Sequence, residues 1–259
     1  MKSFFFGTAK NLYGTLHEPA GKPKDLGVVL CYPGPQEYHM TYWAFRRLAQ
    51  QLARGGVTTL RFDYACTGDS SGDVTDGRLA QWADDITTAA AELKALSGVR
   101  KLAVVGMRLG AALATRAVAK GLKVSELVLW EPVVSGPKYL EQLEDLDARE
   151  ARRLLHRVAG VRIELGGYRF SSGQRDELMG LDTANDVPRL AQRVVFACPP
   201  EDQPKLEPLR ERWAKEGVTC EFNVTHDAAS VTATEDRDAA VMYTATLFAL
   251  TEQLAGARA

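Results

Sequence analysis

The sequence predicts an α/β protein: a mostly parallel sheet with helices on both faces and a small helical insertion. Three observations lead there. Short apolar runs alternate with amphipathic stretches of roughly 12–15 residues, the pattern of parallel βαβ units. The run Val104-Val105-Gly106-Met107-Arg108-Leu109-Gly110-Ala111-Ala112 ends an apolar strand and opens a helix through a small-residue turn, in the frame G-x-S-x-G. Only its central residue departs, because Arg108 stands where that frame has serine. Finally, a charged stretch at 138–157 interrupts the alternation, and 138–182 reads as a lid laid over the strand ends.

In chain order, residues 3–8 and 12–17 read as a hairpin joined through Lys10-Asn11. Residues 21–25 are a turn-rich connection, and 26–32 (LGVVLCY) form a buried strand. Pro33-Gly34-Pro35 reads as a break, followed by helical periodicity from 42 to 54 that Gly55-Gly56 stops. A strand at 57–64 leads into a loop at 65–76, a helix at 82–96, and the strand Lys101–Met107 that reaches the turn. A helix at 109–120 and a strand at 124–130 follow. In the inserted segment, Glu141, Glu144, Asp145 and Asp147 precede Arg149, Arg152, Arg153 and Arg157, the order that suits a helix dipole. Those arginines belong to a solvated face in the plain reading; in the sharper one Arg149, Arg152 or Arg153 faces the pocket. Residues 161–182 follow with Gly166-Gly167 and Ser171-Ser172-Gly173. A strand at 193–198, a helix at 206–216, a strand at 218–224 and a helix at 239–254 complete a single domain over 1–259.

Composition sets the outer limits. The chain is 46% hydrophobic and 25% charged, with a formal net charge of −1, ordinary values for a globular protein. Its pI of about 6.5 removes the electrostatic case for nucleic acid or an anionic membrane as the main partner. No apolar run approaches the ~20 residues that span a bilayer. Phe4-Phe5-Phe6 is too short for a signal core, and the expected location is cytoplasmic. Cys31, Cys198 and Cys220 fall in apolar strand runs and Cys66 in a loop, with no C-x-x-C pair. Disulfides, zinc and other cofactors are therefore not expected.

The chemistry turns on Arg108. A guanidinium stays protonated at physiological pH and does not attack a carbonyl. In α/β-hydrolases the serine of this turn is followed along the chain by an acid and then a histidine. Both slots remain. Glu201 and Asp202 follow the strand at 193–198, Glu131 ends the strand before it as an alternative acid, and His226 follows the strand at 218–224. An oxyanion hole needs two backbone N–H groups. Leu109 offers one and Gly34 or Gln36 the other, since Pro33 and Pro35 have none. Cys66 is the alternative nucleophile, because a thiol needs less activation than a hydroxyl; its plain reading is a loop thiol. Ser70 and Ser71 read as turn residues. An unpaired buried guanidinium would cost several kcal/mol. Arg108 is accordingly expected to pair with a carboxylate, Glu131 first, Asp202 second and Glu201 third.

Several of these pieces occur together and in order: Phe4–Gly7, Phe62-Asp63-Tyr64 with Gly68-Asp69-Ser70-Ser71-Gly72-Asp73, the Gly106–Ala111 turn, Leu129-Trp130-Glu131-Pro132-Val133-Val134-Ser135-Gly136, and Gly167-Tyr168. Together they resemble the serine-aminopeptidase-like α/β-hydrolases known as exosortase-system-associated hydrolases. In that group the turn often reads G-x-R-x-G-A, and Asp tends to stand at the position of Glu131. The resemblance covers the whole chain and implies an α/β-hydrolase fold and a hydrolase label. Three functional readings follow. In the first, Arg108 binds a carboxylate, phosphate or acyl carbonyl of a small molecule without serine chemistry, while His226 and an acid move protons. In the second, a hydrolase or acyl transferase uses another nucleophile, Cys66 first. In the third, a non-catalytic pseudo-hydrolase binding module has Arg108 neutralised by Glu131, Glu201 or Asp202. The expected partner is a small molecule carrying an acyl or anionic group, with its apolar portion beneath the lid.

Overall fold

The structure, a computed structural model, describes residues 1–153, 164–165, 168–227, 231 and 241–256, and their side chains except those of 146–153 and 164–165. The chain opens with strands β1 (Lys2–Phe6), β2 (Leu12–His17) and β3 (Leu26–Cys31), then helix α1 (Pro35–Arg54) and strand β4 (Thr58–Phe62). Helix α2 (Leu79–Ser97), strand β5 (Lys101–Met107), helix α3 (Leu109–Ala119) and strand β6 (Glu126–Trp130) follow. The inserted segment holds α4 (Gly136–Arg153), a small hairpin of β7 (Glu164–Leu165) and β8 (Tyr168–Arg169), and α5 (Ser172–Met179). Strand β9 (Val194–Cys198), helix α6 (Gln203–Lys215), strand β10 (Cys220–Val224) and helix α7 (Thr244–Ala255) complete the order.

The main sheet runs β1-β2-β4-β3-β5-β6-β9-β10. Its first two pairings, β1 with β2 and β2 with β4, are antiparallel, and the rest are parallel. Strands covered on both faces read as continuous apolar runs, and Val28–Cys31 and Leu102–Val105 are indeed almost fully buried. From β3 the chain steps to β4 in one direction, then passes back over β3 to β5. Right-handed crossovers therefore place α1 on one face and α2 and α3 on the other; α1 packs on α7, and α2 on α3. That reversal opens a crevice beyond the carboxyl ends of β3 and β5, where open α/β sheets hold their ligands. Tyr32-Pro33-Gly34 leaves β3 at this crevice, and Arg108 leaves β5 there.

Two glycines make the turn after β5 possible. A methyl group on Gly106 would lie 2.4 Å from the Gly110 carbonyl oxygen, and one on Gly110 would lie 2.2 Å from that of Tyr32. Neither obstacle is a side chain that can swing aside. The spacing of these glycines reflects backbone-to-backbone approach.

Helix starts differ most from the sequence expectation. The stretch Pro33-Gly34-Pro35, expected as a break, is the beginning of α1, with Gly34 as N-cap and Pro35 in the first turn. Proline suits that position, since its missing N–H has no partner there in any case. The early start brings Gln36 and Glu37 onto the helix. At the other end α7 begins at Thr244, and Val241 to Tyr243 are non-helical; the expected start at 239 lies outside the described residues. Asp227, from the end of β10, accepts the Ala245 and Thr246 N–H groups at 2.7 and 3.1 Å and so fixes that start from a distant segment. Ser171 and Gln174 form a reciprocal cap that starts α5. No helix among the described residues is long and apolar enough to cross a membrane.

The turn geometry yields a stability prediction. Gly110→Ala must push backbone against backbone, an overpacking cost of about 3 kcal/mol or more, which lowers the thermal midpoint by roughly 6–12 °C in a domain of this size. Gly21→Ala, with open space around it, leaves the midpoint within about 2 °C. Thermal unfolding of both variants followed by circular dichroism checks this; equal midpoints would show that the turn tolerates a side chain.

Candidate functional site

The site is built around the turn between β5 and α3. Arg108 sits at φ 52° and ψ −119°, a region that non-glycine residues rarely enter. Its backbone is held from both sides: the Arg108 N–H donates to the Trp130 carbonyl at 2.9 Å, and the Arg108 carbonyl accepts from Ala111 at 3.1 Å and Val133 at 3.2 Å. The strained turn thus projects the side chain into the crevice at the switch in strand order.

There the guanidinium meets a ready-made set of acceptors. Nε donates to Glu37 Oε1 at 3.1 Å, Nη2 to Gln142 Oε1 at 2.9 Å and Nη1 to the Glu131 carbonyl at 3.4 Å. Tyr139 donates its hydroxyl to the other Glu37 oxygen at 2.8 Å and lies under the guanidinium, 5.5 Å from ring centre to Cζ. Arg108 is 7% exposed and Glu37 2%, so this is an enclosed ion pair. Burial alone would lower the Arg108 pKa. The charge of Glu37, with Tyr139 and Glu131 behind it, overrides that and holds it above the usual arginine range.

The expectation that Arg108 is charge-paired is met, but by a residue outside the expected three. Glu131 reaches Arg108 through its main-chain carbonyl and forms no ion pair with it. Asp202 instead pairs with Lys205 at 2.5 Å, and Glu201 is exposed. Glu37 was hidden in the stretch expected to be a break; once α1 starts at Pro35, it falls in the first helical turn and points across the crevice. A proline followed two residues later by an acid was the available signal. Tyr139 and Gln142, three residues apart on α4, present one helical face toward the pair.

The remaining expected site residues are spread along the sheet end. Glu131 is 5% exposed and also has a positive φ of 43°. Its Oε2 is buried with no hydrogen-bond partner among the described residues. Burial pushes its pKa up to about 7; Arg108 opposes the rise, while Asp202, Glu37 and Asp227 add to it. His226 is exposed and makes no hydrogen bond or ion pair among the described residues. Its neighbour Asp227 is occupied in capping α7. The acid and histidine slots therefore form no hydrogen-bonded relay with Arg108.

Around Gly34 the side chains of Gln36, Leu109 and Tyr139 crowd together. A methyl group on Gly34 would lie 3.1 Å from the Tyr139 hydroxyl, 3.2 Å from Gln36 Oε1 and 3.4 Å from Leu109 Cδ2. The gap between the two helix starts is thus filled with side chains. Cys66 lies beyond β4, at a positive φ of 66°. Burial and then Asp76, Asp85 and Asp73 raise its thiol pKa. Five strand-to-strand steps separate β4 from β10, where His226 lies, about 24 Å at ~4.8 Å each. The side chains of Arg149, Arg152, Arg153 and Arg157 lie outside the described residues. No group of three or more His, Cys, Asp or Glu side chains among the described residues is placed to hold a metal ion.

Beside the closed pair lies a cavity of about 410 Å³. Pro33, Pro35, Tyr38, Tyr64 and Cys66 contribute to its wall, and Tyr168 reaches it from β8.

Comparison with known proteins places this geometry. The sequence profile of the Alpha/beta hydrolase family matches residues 28–258. Comparison with curated proteins gives no significant match. Among solved structures, Est1E from Butyrivibrio proteoclasticus superposes with a TM-score of 0.65 at 16% identity, over 99% of this chain and 97% of that one. Proline iminopeptidase from Mycobacterium smegmatis gives 0.60 at 12% identity, over 86% and 89% of the two chains. An esterase from Pyrococcus furiosus gives 0.61 at 18%, over 86% and 80%. At such identities the likeness is one of fold.

Two outcomes follow from the buried charges. Arg108→Met leaves Glu37 uncompensated and lowers unfolding free energy by about 3–5 kcal/mol. Adding Glu37→Leu to it recovers most of the loss in urea titrations, and an additive double variant would dissolve the pair. Glu131 has a folded pKa of about 7 against an ordinary 4.5, so the native state holds its proton more tightly than the unfolded chain. Its contribution is intact below pH 4.5 and is lost as pH rises through 7. Glu131→Gln mimics the protonated form, and should gain on the parent by about 3 kcal/mol between pH 4.5 and 8. A constant difference across that range would remove Glu131 as a buried acid.

Proposed function

The chain belongs to the alpha/beta hydrolase family, and from that premise we propose that it works without serine-nucleophile chemistry, as a small-molecule-binding member of the G-x-R-x-G subgroup. The observation that carries this is the enclosed Arg108–Glu37 pair. At the point where this turn presents a nucleophile in the family's enzymes, the chain presents a guanidinium whose charge is neutralised by Glu37 and each of whose three nitrogens already donates a hydrogen bond. An anion arriving at Arg108 would have to displace Glu37 and the Tyr139 cover, which weighs against the elbow as an anion trap and favours the non-catalytic reading.

Ligand space is supplied instead by the adjacent cavity of about 410 Å³, a size within the usual range of small-molecule sites. Its tyrosines and prolines suit a flat, mostly apolar body, and Asp63, Asp73 and Thr67 offer polar anchors at the wall. Tyr168 comes from the inserted segment, which supports the reading of that segment as a lid. Cys66 lies in the same wall, which keeps a thiol nucleophile as the second reading. Its raised pKa and its distance from His226 place that reading behind the first.

Activity-based labelling separates the two. Incubated with a fluorophosphonate probe and with p-nitrophenyl butyrate, the protein gives no serine labelling and no turnover above buffer. Arg108→Ser alone gives no burst, since His226 has no acid partner among the described residues. A saturating apolar aromatic ligand raises the unfolding free energy by about 2.7 kcal/mol at 100 times its dissociation constant. Serine labelling overturns the proposal outright, and ester turnover abolished by Cys66→Ser moves the assignment to the thiol.

A further inference from the structure

A second cavity, of about 190 Å³, lies on the far side of Tyr32, Tyr38 and Asp63 from the first. It arises from an unusual polar face on the antiparallel end of the sheet. On β2, Thr15 stands opposite Arg61 of β4, and His17, two residues further on, is the diagonal neighbour on the same face. Above them, Tyr38, Tyr42 and Arg46 recur at four-residue spacing along one side of α1.

Arg61 is the centre of this face. It is 6% exposed, and its Nε donates to His17 Nε2 at 3.1 Å while Nη1 donates to the Tyr32 hydroxyl at 2.6 Å. The guanidinium rests 5.4 Å from the centre of the Tyr42 ring. Tyr42 hydrogen-bonds to it as well; these partners are neutral, and the nearby Asp63 acts on the guanidinium through its charge. Burial, then the charge of Arg61 itself, lowers the His17 pKa to about 4, so this imidazole accepts and carries no charge at neutral pH. Burial likewise holds the Tyr32 hydroxyl above the usual phenol range. Asp63, a carboxylate of the cavity wall, accepts hydrogen bonds from other donors: Oδ1 from Tyr38 at 3.0 Å and Oδ2 from the Asp69 N–H at 3.0 Å. Arg61 forms no ion pair among the described residues.

A buried cation with neutral hydrogen-bond partners, no ion pair among the described residues and an adjoining cavity is the reverse of Arg108, whose counter-charge is hydrogen-bonded to it. We propose that this cavity is a binding site for a carboxylate-bearing small molecule, with Arg61 as the buried anchor and Arg46 as the second cation at its mouth. A guanidinium fork matches the two oxygens of a carboxylate. Asp63 and Asp69 also line the cavity, and their repulsion selects a monoanion over a dianion such as phosphate. Its volume is far above the ~10–15 Å³ that one water requires, enough for a carboxylate and a short substituent. The site is independent of the proposed ligand cavity, although both share the Tyr38–Asp63 wall.

The test uses the whole chain, with sodium propionate, phosphate and chloride compared at equal ionic strength and neutral pH. Propionate gives saturation-transfer signals in ligand-observed NMR and raises the thermal midpoint above that in chloride, with phosphate having the smaller effect. Arg61→Gln abolishes both responses. Since Arg61 is buried and its loss can unfold the chain, Arg46→Gln at the half-buried mouth carries the same test: propionate affinity falls at least threefold while the midpoint in chloride stays unchanged. Absent saturation transfer, or a midpoint the same in propionate and chloride, overturns the proposal. A larger response to phosphate overturns the carboxylate assignment. So does an Arg46→Gln chain that binds propionate as the parent does.

Discussion

The ion pair between Arg108 and Glu37 is the contact on which the centre of the molecule depends, because it joins three elements that share no sequence neighbourhood. Arg108 comes from the turn after β5, Glu37 from the first turn of α1, and Gln142 and Tyr139 from the helix that interrupts the βαβ order. With both charges almost wholly buried, each is tolerable only in the presence of the other. The pair therefore behaves as a lock: the inserted helix is held down by the same groups that neutralise the guanidinium, and the crevice at the switch in strand order is closed by design of the sequence.

Around that lock the distribution of charge is uneven. Glu131 is buried next to Arg108 but spends only its carbonyl on it; its own carboxyl is left beside further acids with a pKa near neutrality. Toward the antiparallel end of the sheet, Arg61 is buried with neutral hydrogen-bond partners. Among the described residues, one cation thus has its counter-ion hydrogen-bonded to it, another has neutral hydrogen-bond partners, and one buried acid has its pKa raised toward neutrality. Such an arrangement is a poor way to maximise stability, since apolar packing of equal volume would serve as well or better. It makes physical sense where polar groups are kept for a ligand or for closing an inherited site.

The inherited part is visible in the backbone. The strained φ of Arg108 and the glycines at 106 and 110 that allow close backbone approach reproduce a turn whose form suits an exposed nucleophile. The chain retains this geometry while filling the space it creates. A fold can host many functions and its frame does not dictate the chemistry; here the side chain at one position, and the partners recruited to it, close the crevice that the turn faces.

Much of this was legible in the sequence. The alternation of apolar runs and amphipathic stretches determined the parallel sheet, because strand and helix periodicities are local properties. The turn at Gly106–Gly110 announced its own geometry, since close backbone approach leaves only glycine as an option. The replacement of serine by arginine excluded serine attack at that position, and the need for a counter-charge followed from the cost of burying a guanidinium. What the sequence could not supply was the identity of that counter-charge. Glu37 lies 71 positions away, in a stretch whose prolines read as a break until the helix that starts there is seen. The same holds for Asp227 capping α7 and for the neutral environment of Arg61. Periodicity and turn chemistry act between near neighbours, whereas charge pairing is decided by which distant segments the folded sheet brings within a few ångströms.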